Sequence, residues 1–454
     1  MEESNKSQLF NFYGKLSFKE IVPLGLQHVV AMIVGCVTPA IIVASAAGLD
    51  ASDKILLVQS SLIFSGIATL IQIFSIGKGI GSKLPIIMGV SFAYVPTLTA
   101  IAGEFNMATI FGAQICGGIV AIIFGIFSKK IIKFFPPIVT GTVIFAIGLS
   151  LYSTAIKYMA GGVGNDGFGS PLNWLVAIIT LSVVIFLNFF TKGTMKLASI
   201  LCGIIVGYII SLFLGMVSFS DVGNASWFQM PKLMHFGLSF NATAIISMVV
   251  MHIVNSVQAI GDLSATTNGG MNREATDIEI SGGIIGNGVS SILGGMFGCM
   301  PTATFSQNVG IVTMNKVINR GIFIFASIII ILAGLIPKFS SILISIPQCV
   351  LGGATITVFS TITMTGIKMI TASKLTTRNT TIVGLSIALG TGIVQVEGAL
   401  SLFPAWAISI FAKSSIVVTT LVAILLNLIL PKEKNQDIKV NVEDKKSIGV
   451  INKA

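Results

Sequence analysis

The chain is 454 residues long, 54% hydrophobic and 10% charged, with a mean hydropathy of +0.94. Soluble proteins carry about 25% charged residues, so this composition excludes a soluble enzyme or binding module. The formal net charge of +10 comes largely from basic residues that flank apolar runs, where the positive-inside rule accounts for it and no nucleic-acid partner is implied.

The first segment, 1–20, reads as a cytoplasmic tail. Beyond it, apolar runs of about 18 or more residues recur to the end of the chain, each long enough to cross roughly 30 Å of hydrocarbon. "IVPLGLQHVVAMIVGCVTPAII" and "SSIVVTTLVAILLNLIL" are examples. Neither a signal peptide nor a single amphipathic anchor explains a pattern that never stops. The expected fold class is therefore an all-α polytopic membrane protein. In chain order the predicted segments, about fourteen, are 21–43, 55–76, 84–101, 108–128, 131–156, 173–190, 196–218, 241–262, 280–297, 299–314, 321–337, 342–367, 379–396 and 407–430.

With the N-terminus inside, the cytoplasmic loops hold Lys78, Lys83, Lys129, Lys130, Lys133, Lys192, Lys196, Arg273, Lys316, Arg320, Lys368, Lys374 and Arg378. The outside loops hold Lys54, Lys157, Lys232, Lys338 and Lys413. That bias puts both termini in the cytoplasm and calls for an even number of spans. Residues 431–454 are densely charged and read as a second cytoplasmic tail. Cys36, Cys116, Cys202, Cys299 and Cys349 are scattered with no CxxC pair, so they read as packing residues, with no disulfide framework and no metal site.

The third and tenth segments are too short for ordinary spans and carry polar residues. "CMPTATFSQNVGIVTMNKVINR" (299–320) sets Thr302, Thr304, Ser306, Gln307 and Asn308 close together after Pro301. Irregular backbone is tolerated at membrane depth only where it is buried in protein or lines a cavity. Short β-strands in segments 3 and 10, satisfying each other's backbone groups, are expected, since Pro96, Pro301 and the hydroxyl run disfavour helix.

Internal similarity supports the pairing. "FPPIVTGTVIFAIGLSLYSTAIKYM" (135–159) and "IPQCVLGGATITVFSTITMTGIKMI" (346–370) match at Pro136/Pro347, Val139/Val350, Gly141/Gly352 and Ile156-Lys157/Ile367-Lys368. Ser91-Phe92 and Thr304-Phe305 repeat at nearly the same offset. The two copies lie an odd number of spans apart, so they point in opposite directions, giving two inverted 7-segment repeats. Inverted repeats with paired broken segments near the midplane point to a transporter binding site.

The eighth segment carries His252, Asn255, Gln258 and Asp262 along one helical stripe. Asp facing lipid would cost about 2.5–3.5 kcal/mol, so the stripe faces protein or water. Two readings of Asp262 stay open: an ion ligand or proton carrier, or a helix-end acid bonded to a backbone N–H. His28, beside Gln27, reads as a hydrogen-bonded strut or a proton carrier. Asn287, among glycines, reads as a packing residue or a ligand contact. "GKGIGSK" (77–83) has the wrong spacing for a phosphate loop and reads as a basic turn. No HExxH, GxSxG or aspartate-rich motif is present, so an enzyme is not expected.

At "FSQNVGIVTMNK", with Gln307, Asn308, Gly310 and Lys316 in the pattern Gln/Glu/Pro-Asn-x-Gly-x-x-x-x-Thr-Arg/Lys/Gly, the chain resembles the nucleobase–ascorbate transporter family, or nucleobase:cation symporter-2. Asn315 stands where that pattern has threonine. "QAIGDLSAT", "GLQHVVAM" and "GVSFAYV" resemble other family segments, so the likeness spans essentially the whole chain. It implies a core domain (21–128 and 241–337) moving against a gate domain (129–218 and 338–430), as a homodimer in the cell membrane. It also implies a purine nucleobase such as xanthine or uric acid as substrate, because the Gln-Asn form is similar to that of carriers for those compounds. Phe92 would stack on the base, Gln307 would read its edge, and Phe305, Ser306, Gln258 and Asn308 would complete the substrate site.

Two departures bear on coupling. Gln258 replaces the family's usual Glu, and Asn287 replaces an Asp common in purine members. Both keep the hydrogen-bonding shape and remove a titratable group. Asp262, His28 and Asn287 are left as ion-coupling candidates, with a proton or sodium ion as co-substrate and no cofactor. The alternatives are uncoupled or sodium-driven carriage, or an inorganic-anion exchanger of the same fold class.

Overall fold

A computed structural model describes residues 8–431 apart from 78, 166, 405, 406 and 413. The start of the N-terminal tail, nearly all of the C-terminal tail, and Lys78 and Lys413 of the charge count lie outside the described residues. The described chain is mostly helical. Helix α1 (Phe18–Ala46) starts on a Ser17–Glu20 capping box and continues through Pro23 and Pro39. Helix α2 (Ala51–Phe74) starts on Asp50, whose side chain accepts from the Asp53 N–H; such a cap satisfies one of the first-turn donors that a helix leaves open.

Strand β1 (Met88–Val90) follows, then a 3-10 turn, Phe92–Tyr94, that feeds α3 (Val95–Glu104). Next come α4 (Met107–Ile126), α5 (Pro137–Met159), α6 (Pro171–Phe190) and α7 (Ser199–Phe213). The second half holds α8 (Ala242–Ala265), α9 (Asp277–Met296), β2 (Thr302–Thr304) and α10 (Ser306–Asn315). It ends with α11 (Arg320–Gly334), α12 (Gln348–Thr371), α13 (Thr377–Gln395) and α14 (Ser415–Ile429). Seven of these helices are long and apolar enough to cross a bilayer alone. The molecule is a multi-pass membrane protein.

The two expected strands pair antiparallel, with Met88 opposite Thr304, Gly89 opposite Ala303 and Val90 opposite Thr302. The ladder continues at both ends, where Ser91 N–H donates to Pro301 O (3.1 Å) and Phe305 N–H to Ile87 O (3.0 Å). Its outer edge is satisfied from α2, because the Thr69 hydroxyl accepts from Met88 N–H (2.9 Å). Unpaired backbone groups at membrane depth are thereby avoided. Gly89 is required: a Cβ there would lie 2.5 Å from the Phe305 ring and 2.8 Å from Cys36 Sγ.

Packing sorts the helices into two sets. Helices α1, α2, α4, α8, α9 and α11 pack on one another around the strand pair, and α5, α6, α7, α12, α13 and α14 pack as a second set. Within the second set α5 and α12 run antiparallel, with Gly141 against Gly366, Gly148 against Thr363, and Gly352 against Tyr158 and Met159. Small residues let these backbones approach closely, as membrane helix pairs require. In the first set, Gly118 and Gly288 meet across α4 and α9. Buried amides also bind elements together: Gln72 Nε2 donates to Gly283 O (2.8 Å), and Gln114 Nε2 to Ser291 O (2.8 Å) and Cys299 O (3.0 Å).

Several boundaries differ from expectation by a few residues or more, as where 131–156 becomes Pro137–Met159 and the helix expected from 407 begins at Ser415, and two have a plain cause. The segment expected at 342–367 begins only at Gln348, because Pro347 excludes its predecessor from helical geometry. The residues before it form a separate helix, Pro337–Ile344, bent 82° from α11. The segment expected to end at 262 runs on to Ala265 and then through a π turn, Thr266–Gly270. The Thr266 hydroxyl donates to Asp262 O there (2.8 Å).

Candidate functional site

Both strands end at the start of a helix, and both helix starts meet at one cavity. Ser91, Phe92 and Ala93 come from the first, and Phe305, Ser306 and Gln307 from the second. The first N–H groups of a helix have no partner inside it and carry its positive dipole end. The cavity therefore has fixed donors on one wall. Helix α8 adds Val257, Gln258, Gly261 and Asp262. The opposite wall belongs to the second set: Ile144 and Ile147 of α5, and Val358, Thr361, Ile362, Thr365 and Met369 of α12. The cavity volume is about 490 Å³, within the range of small-molecule sites. Apolar walls with a few convergent polar groups are the usual make-up of such a site.

Asp262 joins the second broken segment to α8. Its carboxylate accepts from the Thr304 hydroxyl (2.5 Å) and the Ser306 hydroxyl (2.8 Å), and the Gln258 amide lies against it from one turn earlier. It sits inside the helix, bonded to side-chain hydroxyls, so the helix-end reading does not describe it. The rest of the α8 stripe faces the same way. Asn255 Nδ2 donates to Thr302 O (3.2 Å), and His252 packs edge-on to Tyr94 with its Nδ1 2.9 Å from Met248 O. The lower stripe supports the strand and the upper stripe opens onto the cavity.

Phe92, Gln258, Asp262, Phe305, Ser306 and Gln307 thus come together around one space. Ser306 and Gln307 are exposed to it, and Gln258 is half-buried. The Phe92 ring stands edge-on to Phe359 of α12 (5.3 Å). The remaining three expected residues lie behind this wall. Asn308 is fully buried, and its Nδ2 lies 3.0 Å from His28 Nδ1 and donates to His28 O (3.1 Å). Asn287 Oδ1 accepts from the Thr302 hydroxyl (3.2 Å). These contacts tie α10 to α1 and β2 to α9.

Sequence reasoning did not assign Ser91, Thr304, Thr361 or Thr365 to the site. The first two carried a signal in the repeated hydroxyl–Phe pair. Thr361 and Thr365 lie four apart on one face of α12, with hydroxyls returned to the carbonyls of Thr357 (2.9 Å) and Thr361 (2.9 Å).

A ligand-sized cavity between two packed helix sets, floored by the starts of two broken helices, defines a membrane carrier. Solved structures agree on the fold. The transmembrane domain of the cyanobacterial bicarbonate transporter BicA superimposes with a TM-score of 0.57 at 16% identity, covering 91% of this chain and 99% of that one. Murine Slc26a9, an anion transporter in the inward-facing state, gives 0.60 at 12% identity, covering 90% and 68%. The sequence itself matches the Permease family over residues 19–398, and the chain belongs to that family, the nucleobase:cation symporter-2 permeases it resembles. It is 36% identical to the xanthine permease of Bacillus subtilis over 91% of this chain and 94% of that one. It is 35% identical to the uric acid permease PucK of the same organism, over 90% and 95%. Identity to the xanthine permease XanP of Escherichia coli is 30%, over 95% and 96%. The relatives are permeases, and the chain is a transporter, not an enzyme.

Proposed function

We propose that the chain is a secondary transporter of oxopurine nucleobases such as xanthine or uric acid. The observation that carries this reading is the meeting of Phe92, Gln258, Phe305, Ser306 and Gln307 in one cavity between the two helix sets, in a chain whose relatives are xanthine and uric acid permeases. An aromatic face suits a flat bicyclic base. Two amides, each with donor and acceptor atoms, match the alternating N–H and C=O groups of a purine dione without any change of charge. The helix-start N–H groups of the strand ends complete the donor set.

In this reading the first helix set is the core domain and the second the gate domain, and the core moves past the gate to carry the base across. The packing of the sets, each mostly within itself, supports that division. The antiparallel run of α5 against α12 supports inverted repeats; fourteen crossings, cytoplasmic termini and a homodimer in the cell membrane belong to the same reading through the family resemblance. Coupling falls to Asp262, the one carboxylate on the cavity wall among the described residues, with a proton or sodium ion as the coupled ion. His28, Asn287 and Asn308 serve as struts.

The test is equilibrium binding of tritiated xanthine to the purified protein and to Gln307→Ala. Loss of an amide that bonds the base edge weakens binding by about 10-fold or more. Undiminished xanthine binding by a folded Gln307→Ala protein removes Gln307 from the site.

A further inference from the structure

The far end of α10 is held by a part of the chain remote from the cavity. Residues 8–17, which precede α1, lie against the turn between α10 and α11. Asn319, 1% exposed, points its Nδ2 at three of their carbonyls: Gln8 (3.1 Å), Asn11 (3.2 Å) and Gly14 (2.8 Å). Its Oδ1 accepts from Gly321 N–H (2.9 Å) at the start of α11. The backbone pairs on both sides of it, Ile318 N–H to Leu9 O (3.1 Å) and Arg320 N–H to Phe12 O (3.0 Å). Phe12 is buried in the main hydrophobic core, and the Arg320 guanidinium covers the Tyr13 ring at 4.8 Å. This is far more than a trailing terminus needs, since the first residues of most domains are loosely held.

The same strap runs into α1, and α1 is bonded to α10 a second time through His28 and Asn308. Helix α10 is therefore gripped near its cavity end by Asn308 and beyond its far end by Asn319. A ten-residue helix is about 15 Å long and rigid on that scale, so a tilt at the Asn319 end displaces Ser306 and Gln307 at the other. We propose that Asn319 is a positioning residue for substrate: by clamping residues 8–17 it fixes the angle at which α10 presents Ser306 and Gln307 to the cavity. The N-terminal strap then belongs to the substrate-binding body and tunes its affinity. This inference rests on the nucleobase-carrier reading for its transport readout alone.

Two variants probe the clamp from opposite sides. Asn319→Ala removes the donor. Gly14→Ala leaves Asn319 in place but puts a Cβ 2.3 Å from Gln8 O and 2.9 Å from Asn319 Nδ2, which the strap can relieve only by lifting away. Xanthine uptake kinetics and hydrogen–deuterium exchange would be measured on both, and on the double variant, in the full chain. The expected result is a KM raised about fivefold in each, kcat within about twofold of the parent, and no further loss in the double variant. Exchange should rise in 8–14 and also in 306–315. Faster exchange in 8–14 with α10 and KM unmoved would overturn the proposal, as would a loss of kcat with KM intact. If the parent carries no xanthine, the exchange in 306–315 still decides whether the strap holds α10, and the failure then belongs to the substrate assignment.

Discussion

Gln258 and Asp262 stand one turn apart on α8 and both face the cavity, yet only Asp262 can carry charge. If Gln258 reads the base while Asp262 handles the ion, Gln258→Glu adds a second titratable group beside the first. Two such neighbours titrate as a pair. The pH profile of uptake should then change shape, while the ratio of xanthine to uric acid uptake stays within about twofold of the parent. Uptake measured from pH 5 to 8 with both substrates checks this; an altered ratio over an unmoved profile would reverse the two roles. At this scale much of the site was legible, because polar residues in an apolar chain need partners. The α8 stripe and the run from Thr302 to Asn308 stood out for that reason. Their division between wall and strut was not legible. Neighbours in sequence, Gln307 and Asn308, point to a cavity and to His28 respectively, and only the direction of a helix start separates them. Thr361 and Thr365 were hidden for a different reason: threonines that bond back to their own helix occur throughout α12.

Among elements, the contact of α5 with α12 is the most extensive. A Cβ at Gly366 would lie 2.4 Å from Phe145 N and 2.8 Å from Gly141 O, backbone atoms that cannot turn aside. Gly366→Ala should therefore destabilise the protein by about 1–3 kcal/mol through overpacking, seen as a lowered thermal midpoint in detergent. Gly261, also helical, has open space where a Cβ would be added, so Gly261→Ala is the matched control and should hold the midpoint or raise it by about 1 °C, the size of the helix-propensity gain of about 1 kcal/mol in a chain this long. An unshifted midpoint for Gly366→Ala would mean that the two helices are not packed so closely. The likeness of these two helices was visible in the pairs Pro136/Pro347 and Gly141/Gly352: each proline stands at its helix's N-cap, and each glycine lies in the contact between the two. The strand pair was visible too, from proline and hydroxyls where a helix would leave them costly. The short helix at 337–344 was not. Only its end, residues 342–344, is apolar enough to merge with the following span, and hydropathy does not record the 82° turn from α11 that falls at Pro337.

At the scale of the molecule, the cavity lies where the two helix sets meet, with Phe92 beside the first touching Phe359 of the second. A site shared by two bodies can face alternate sides of a membrane when one slides past the other, which no site buried within a single set could do. Composition and loop charge announced a multi-pass membrane protein, and the motif at 305–316 announced its family. The sorting of the helices into two packed sets was not legible from hydropathy, which ranks every span alike and says nothing of its neighbours; the expectation of a core and a gate came from the resemblance. The most direct test of the account is uptake of radiolabelled xanthine into proteoliposomes, with and without an imposed inward proton gradient, in the presence of excess unlabelled uric acid or bicarbonate. Saturable uptake that uric acid suppresses and bicarbonate does not is expected, with accumulation above equilibrium under the proton gradient, or under an inward sodium gradient if sodium is the coupled ion, and its loss in Asp262→Asn. Uptake of bicarbonate in place of xanthine, or no xanthine uptake under any gradient, would contradict it.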